Sequence, residues 1–304
     1  CEGSAYAISQ ATFPTYFLKQ LDKASENQIE LDLQIFARYL APALGATVRF
    51  VGTEPFDPLT RRYNEMMTEL LPKSGIEVVQ IERKELEEKP ISASRTRAFI
   101  ENNKLHAAMQ LVPPTTQPYI MAKFAVDALQ QELDTTPKPG LVDKDNSGAH
   151  TDMDYILMER SIKSLRPYFV RLAQLGLSAD KLTTADVQRI GIEAEAAMLR
   201  TTHGVNTHRG ALFALGITVA AAMWLYAHEG HEVRKERLQQ MIQEIAAGFP
   251  PSADTHGAEV VAKARVKGAR ENAVEGYPDL FETWGPYYRK LREDAEITEQ
   301  LPFT

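Results

Sequence analysis

Three stretches of this 304-residue chain gather side chains able to do chemistry. The first, "TPKPGLVDKDNSGAHTDMD" (136–154), sets Lys138 between two prolines that stiffen it and scatters Asp143, Asp145, Asp152 and Asp154 among Gly and Asn. Four carboxylates within twelve residues exceed what a turn requires. An oxygen-rich loop suits Mg²⁺, which usually arrives with phosphates and keeps several of its waters. A calcium loop fits poorly, because the closing Glu is missing, and a plain solvated loop reads equally well from the same residues. The second stretch is "EAE", Glu193 to Glu195. Residues two apart on a helix point roughly 200° away from each other, so only one of these carboxylates can enter a given pocket. Glu195 shares its side with Leu199 and Thr202 and leads toward Gly204, which makes it the site carboxylate, with Glu193 a neighbour or a surface group.

The third stretch, "TTHGVNTHRGALFALG" (201–216), crowds Asn206, Thr207, His208 and Arg209 into a turn that opens into an almost wholly apolar helix. Asn206 or Thr207 can cap the first turn, leaving amide N–H groups directed outward and the positive end of the helix dipole beside them. Such an end receives phosphate readily. His208 and Arg209 in the first turn oppose the dipole at a cost of about 0.3–1 kcal/mol, and an anionic ligand reverses that sign. The alternative is that both simply point into solvent.

The elements that must position these groups change character once along the chain. Up to about residue 110, strand-like runs at "AYAIS" (5–9), 47–52 and 76–82 alternate with amphipathic helices at 28–40, 59–71 and 93–104. That alternation predicts an α/β layer with a parallel sheet and right-handed crossovers. The three prolines of "VPPTTQPY" (112–119) predict an extended linker. Beyond it no strand pattern appears. Tyr155, Met158, Ile162, Leu165, Phe169 and Leu172 form one helical stripe that Pro167 is expected to kink or divide. Val187, Ile190, Ala194, Ala197 and Met198 form another behind a Thr183/Thr184 cap. The second domain therefore reads as all-α. Residues 210–227 are long enough to span a bilayer and have only Thr218 as a frankly polar side chain, yet six Ala and two Gly make them weakly hydrophobic. A core helix, apolar on all sides and ending at Gly230, is the expectation.

Composition narrows the class. Apolar residues make up 44% and charged residues 25%, the balance of a soluble globular protein. A formal net charge of -7 argues against general nucleic-acid binding. The single cysteine, Cys1, excludes an internal disulfide or a cysteine-based zinc site and suits a cytoplasmic setting. The opening "CEGSAYAIS" has no secretory pattern, and both it and the closing "ITEQLPFT" read as cut edges of a longer chain.

The three blocks "TPKPGLVDKDNSGAHTDMD", "GIEAEAAMLRTTHGVNTHRGALFALG" and "KGARENAVEGYP" make residues 120–304 resemble triphosphoribosyl-dephospho-CoA synthase. The resemblance implies an all-helical enzyme that takes ATP and 3'-dephospho-CoA and releases adenine. It joins the triphosphoribosyl group to a ribose hydroxyl, making the precursor of the citrate lyase prosthetic group. On that chemistry Glu195, with Glu193 beside it, is the expected carboxylate that steadies positive charge on the sugar and takes the hydroxyl proton. Mg²⁺ at Asp143 or Asp152, with Lys138, Arg209 and the 206–209 helix start, is expected to hold the triphosphate. Arg270 in the last block is a further expected phosphate contact.

Residues 1–111 carry a second resemblance. "ATFPTYFLK", "RFVGTEPFDPLTRRYNEMMTELLPKSGIEVVQIERKE" and "ISASRTR" are similar to the C-terminal part of citrate lyase ligase, of the nucleotidyltransferase fold. That resemblance implies ATP-dependent acetylation of the same prosthetic group, with phosphate contacts from Ser92, Ser94 and Arg97 at a helix start. The His-containing loop of that fold does not occur in this sequence, so the first domain is expected not to ligate. The expectations are thus a fused maturation enzyme whose working half is the transferase, with the citrate lyase acyl-carrier subunit as a partner and neither nucleic acid nor membrane involved. The alternative is a nucleotide- or CoA-binding remnant.

Overall fold

A computed structural model describes residues 23–87, 89–250 and 267–291. The chain divides into two compact units between Ser92 and Ala93.

In the first unit, α1 (Lys23–Ile35) runs on through a wider turn, Phe36–Leu40, and a last turn, Ala41–Leu44. Strand β1 (Val48–Gly52) lies parallel to β2 (Glu77–Ile81), pairing Val48 with Glu77 and Gly52 with Ile81. Between them α2 (Pro58–Leu70) forms the crossover, started by Asp57, whose side chain accepts from the Leu59 amide at 3.1 Å, with Pro58 preset for a first turn. Leu59, Met66 and Met67 of α2 pack on Ile29 and Leu33 of α1 and on Ile76. Asn64 Nδ2 donates to the Gly52 carbonyl at 2.8 Å, fixing α2 to the end of β1. The α/β reading therefore holds for these elements, and the predicted strand at 5–9 lies outside the described residues. A small antiparallel pair, β3 (Glu85–Leu86) and β4 (Lys89–Pro90), follows. Two-residue strands are too short to leave a periodicity in sequence.

The second unit is a helical bundle: α3 (Ala93–Glu101), α4 (Leu105–Gln110), α5 (Gln117–Asp134), α6 (Tyr155–Ser178), α7 (Thr184–Thr201), α8 (Arg209–His228), α9 (Lys235–Ala247) and α10 (Ala269–Val274). Helix α8 is its central rod, touching α5, α6, α7, α9 and α10. Leu212, Ile217, Val219, Met223 and Leu225 of α8 are buried on different sides of it, as a helix apolar all round requires. Gly176 lets α6 approach α8 closely: a Cβ there would lie 2.9 Å from Met223 Cβ and 3.0 Å from the Trp224 amide nitrogen. Arg209–His228 is long and apolar enough to cross a membrane, and half of it is buried within this bundle.

Two expectations are corrected here. Residues 112–119 are not an extended linker, because Gln117 and Pro118 open α5, where a first-turn proline loses no helical bond. Gln117 is buried and donates to the Met109 carbonyl and to Tyr226 Oη, both at 3.2 Å. Phe99, Ile100, Leu105 and Met109 pack on the bundle core, which is why α3 and α4 belong to the helical unit. Pro167 does not divide α6, which is continuous for 24 residues. Ile162, Leu165, Phe169 and Val170 are buried on either side of the proline, and their burial outweighs the roughly 3 kcal/mol that an interior proline costs.

Candidate active site

The α7–α8 turn is the meeting point. Helix α7 begins at Thr183, whose hydroxyl accepts from the Asp186 amide at 3.2 Å as the sequence suggests. Helix α8 begins at Arg209, and Asn206 Oδ1 accepts from the Arg209 amide at 3.2 Å, so Asn206 supplies the cap. The His208 amide donates to Met198 Sδ at 3.3 Å. Among the described residues the Gly210 and Ala211 amides find no acceptor, and a Cβ on Gly210 would meet nothing within 4 Å. Two donors at the positive end of α8 thus face open space.

Thr207 does not cap. Its hydroxyl donates at 2.6 Å to Ser161 Oγ of α6, and Ser161 Oγ lies 2.8 Å from His208 Nδ1. The one Ser161 hydroxyl thus serves both Thr207 and His208. His208 is only 5% exposed, and its Nε2 is buried without a partner among the described residues. Burial lowers its pKa to about 4, against an upward pull from Glu132 and with a further downward push from Lys138. Of the two readings of His208, cationic or hydrogen-bonding, the structure supports the second. Desolvation keeps the ring neutral at pH 7, and the dipole penalty expected for a cation at this position does not arise.

The loop 136–154 stands against the same end. Lys138 is 10% exposed and its ammonium is held by Glu132 of α5, at 2.8 Å from Oε1 and 2.7 Å from the backbone carbonyl. Lys138 is thus a paired cation rather than a free one. Asp143, 2% exposed, organises the loop. Its Oδ2 accepts from the Lys138 amide (2.9 Å) and Thr136 Oγ1 (2.8 Å), and its Oδ1 from the amides of Asp145 (2.9 Å) and Asn146 (3.0 Å). These donors, the Lys138 amide first, lower its pKa to about 2 against the opposing pull of desolvation. A carboxylate whose two oxygens are already saturated by N–H and O–H donors does not fit a metal ion, so the expectation of Asp143 as a ligand is corrected. Asp152 is exposed and stands 3.9 Å from His150 Nδ1. No cluster of three His, Cys, Asp or Glu able to hold a metal occurs among the described residues. Gly148 keeps the loop closed, since a Cβ there would strike the backbone of Gly140 and Leu141.

Asp143 carries a pH signature. With its pKa near 2 in the folded protein and about 3.9 unfolded, its stabilisation is complete above pH 4 and is lost as pH falls toward 2. Asp143→Asn should lower the thermal midpoint at pH 7, with the gap from the parent protein narrowing below about pH 4. Thermal melts across that range check this, and a gap that stays constant overturns it.

Glu195 forms an ion pair with Arg209, across the α7–α8 turn. Glu193 points elsewhere, pairing with Arg171 of α6 at 2.5 Å, which lowers its pKa. The two carboxylates thus pair with different elements, as their offset of roughly 200° on α7 requires. A cavity of about 230 Å³ opens beside the Glu195–Arg209 pair, between α6, α7 and α8. Arg270 is not in either cluster: its Nε donates to the Phe249 carbonyl at 2.9 Å, tying α10 to the end of the α9 segment. Ser94 and Arg97 pair weakly with each other at 3.4 Å on the exposed first turn of α3, and Ser92 directly precedes that helix.

Thr207 and His208 thus share Ser161 of α6, Lys138 acts on His208 through its charge, and Arg209 pairs with Glu195. Sequence reasoning missed Glu132 and Ser161. Glu132 belongs to no motif. Ser161 left a weak signal, a hydroxyl four residues before Leu165 and eight before Phe169 on an otherwise apolar stripe.

Comparison with known proteins puts the boundary between families at residues 119–120, beyond the split between compact units at Ser92 and Ala93, so that α3 and α4 fall within the first match. Residues 1–120 match the family described as citrate lyase ligase C-terminal domain, and residues 119–302 the family described as ATP:dephospho-CoA triphosphoribosyl transferase. A probable 2-(5''-triphosphoribosyl)-3'-dephosphocoenzyme-A synthase of Stutzerimonas stutzeri (strain A1501) is 42% identical over 166 residues, 53% of this chain and 57% of that protein. One of the same name from Pseudomonas fluorescens (strain Pf0-1) is 40% identical over 192 residues, 61% and 65% of the two chains. The [citrate [pro-3S]-lyase] ligase of Escherichia coli (strain K12) is 49% identical over 123 residues, 39% of this chain and 35% of that protein. The chain spans less than two thirds of the length of each of these relatives. No solved structure matches it. With the larger part of its length matched in this way, the chain belongs to the ATP:dephospho-CoA triphosphoribosyl transferase family, behind a citrate lyase ligase C-terminal domain.

Proposed function

We propose that the helical unit transfers the triphosphoribosyl group of ATP to a ribose hydroxyl of 3'-dephospho-CoA and releases adenine, a glycosyl transfer that leaves the phosphates intact. The acceptor oxygen bonds to C1' of the ATP ribose as the bond from C1' to adenine N9 breaks. Glu195 takes the hydroxyl proton and faces the positive charge that builds on the sugar; adenine leaves with the N9 electron pair and takes a proton from water, and Glu195 returns the hydroxyl proton to solvent, so that protons balance. The triphosphate lies at the α8 start, on the Gly210 and Ala211 amides, with the Lys138 ammonium beside it and the Asn206–Thr207 turn and buried His208 holding the backbone in place. Mg²⁺ arrives as the ion carried by ATP and needs no resident protein site. The product is the precursor of the citrate lyase prosthetic group, with the lyase's acyl-carrier subunit as its downstream partner and the cytoplasm as the setting.

The observation that carries this reading is that four consecutive residues, 206–209, join the carboxylate side of the site to the Lys138 side at a helix end with unused donors. The test is incubation with ATP and dephospho-CoA, followed by chromatography. Free adenine should appear in step with a triphosphate-bearing product, without ADP or phosphate. Substrate binding without adenine would instead establish a binding module, and release of ADP or AMP would overturn glycosyl transfer.

A further inference from the structure

The cavity beside Glu195 extends well past what a proton acceptor needs. One wall is the face of α7 that carries Val187, Gly191 and Glu195, spaced four residues apart, and the other is the start of α8, from Arg209 to Gly216. From Val187 to Glu195 the helix rises about 12 Å. Because α7 ends close to where α8 begins, both charged residues stand at one end of this slot and the remainder is apolar. Gln188 is the sole uncharged polar side chain among its described lining residues. No atom comes within 4 Å of a Cβ built on Gly191, so the slot is open at its middle, and Ile192 on its rim is 61% exposed.

We propose that this slot binds the pantetheine arm of dephospho-CoA, an inference that rests on the transferase reading above. The order of groups along that substrate is ribose hydroxyl, pyrophosphate, a dimethyl centre with a hydroxyl beside it, then two amides separated by pairs of methylenes, ending in a thiol. The order along the protein is Glu195, Arg209, then the apolar slot. Arg209 meets the pyrophosphate as Glu195 meets the hydroxyl, and the chain runs between the helices with its amides toward the open rim and Gln188. Displacement of Arg209 from Glu195 by the pyrophosphate also frees the carboxylate to act as base. A purine ring fits the slot less well, because its polar edge would face apolar walls.

Gly191→Leu places its Cβ in open space, sends a branched side chain into the slot and puts a better helix former in a helix interior, so the variant should fold as well as the parent. Titration calorimetry with dephospho-CoA, ADP (the same nucleotide without the arm) and ATP reads the proposal directly. The parent should bind dephospho-CoA at least tenfold more tightly than ADP. Gly191→Leu should erase that preference, and raise the KM for dephospho-CoA at least tenfold, with ATP affinity unchanged. Ile192→Asp on the exposed rim should act in the same direction. Equal affinity of the parent for ADP and dephospho-CoA would overturn the assignment, as would a Gly191→Leu effect confined to ATP. A parent that shows the binding preference but releases no adenine would refute the transferase reading and leave the slot assignment standing.

Discussion

Glu195→Gln is expected to reduce adenine release by about a hundredfold or more, the range lost when a positioned base is removed. ATP and dephospho-CoA should still bind. Gln keeps the size of the side chain and an oxygen for Arg209, so the contact across the α7–α8 turn survives while the capacity to accept a proton does not. The fold should be indifferent. Glu195 is 30% and Arg209 43% exposed, and ion pairs of that exposure contribute about 0–1 kcal/mol. Single-turnover adenine release, measured beside calorimetric binding of both substrates, separates chemistry from affinity. Glu193→Gln supplies the contrast: it breaks only the pair with Arg171, on another face of α7, and should change the rate by less than about twofold. Full activity in Glu195→Gln would remove the carboxylate from the mechanism.

Gly176→Ala should be the most damaging small substitution in the bundle. The added methyl would strike the Ala220 carbonyl oxygen and lie 2.9 Å from Met223 Cβ and 3.0 Å from the Trp224 nitrogen. Two of those three atoms belong to the α8 backbone, which cannot rotate away, so α6 and α8 must separate. Overpacking of this kind costs about 1–3 kcal/mol, or more where the backbone must move, which outweighs the gain in helix propensity from replacing Gly. For a unit of this size a loss of 3 kcal/mol lowers the thermal midpoint by about 6–12 °C. A melt within about 2 °C of the parent would show that the helices slide past the methyl instead. The same movement would draw Ser161 of α6 away from His208, so adenine release should fall with stability.

Much of this was legible in the chain. Strand runs at 47–52 and 76–82 became β1 and β2, and helix α8 was marked by a run of apolar residues that only a core can cover. The Thr183 cap and the divergence of Glu195 from Glu193 followed from local geometry. These features depend on residues within a turn or two of one another, and the backbone's own periodicity expresses them. The reactive states of the site did not follow. His208, Arg209 and Lys138 read alike as cationic or hydrogen-bonding groups facing a ligand, yet burial against α6 makes His208 neutral, and Glu132 and Glu195 hold the other two. Asp143 read as a metal ligand and became the hub of its own loop. The chain's pattern determined which elements form and which faces turn inward, because both are set by neighbours a few residues away. Charge state, hydrogen-bond partner and the slot beside Glu195 were decided only in the folded bundle, because desolvation and pairing depend on groups tens of residues apart that the packing of α5, α6 and α8 brings together.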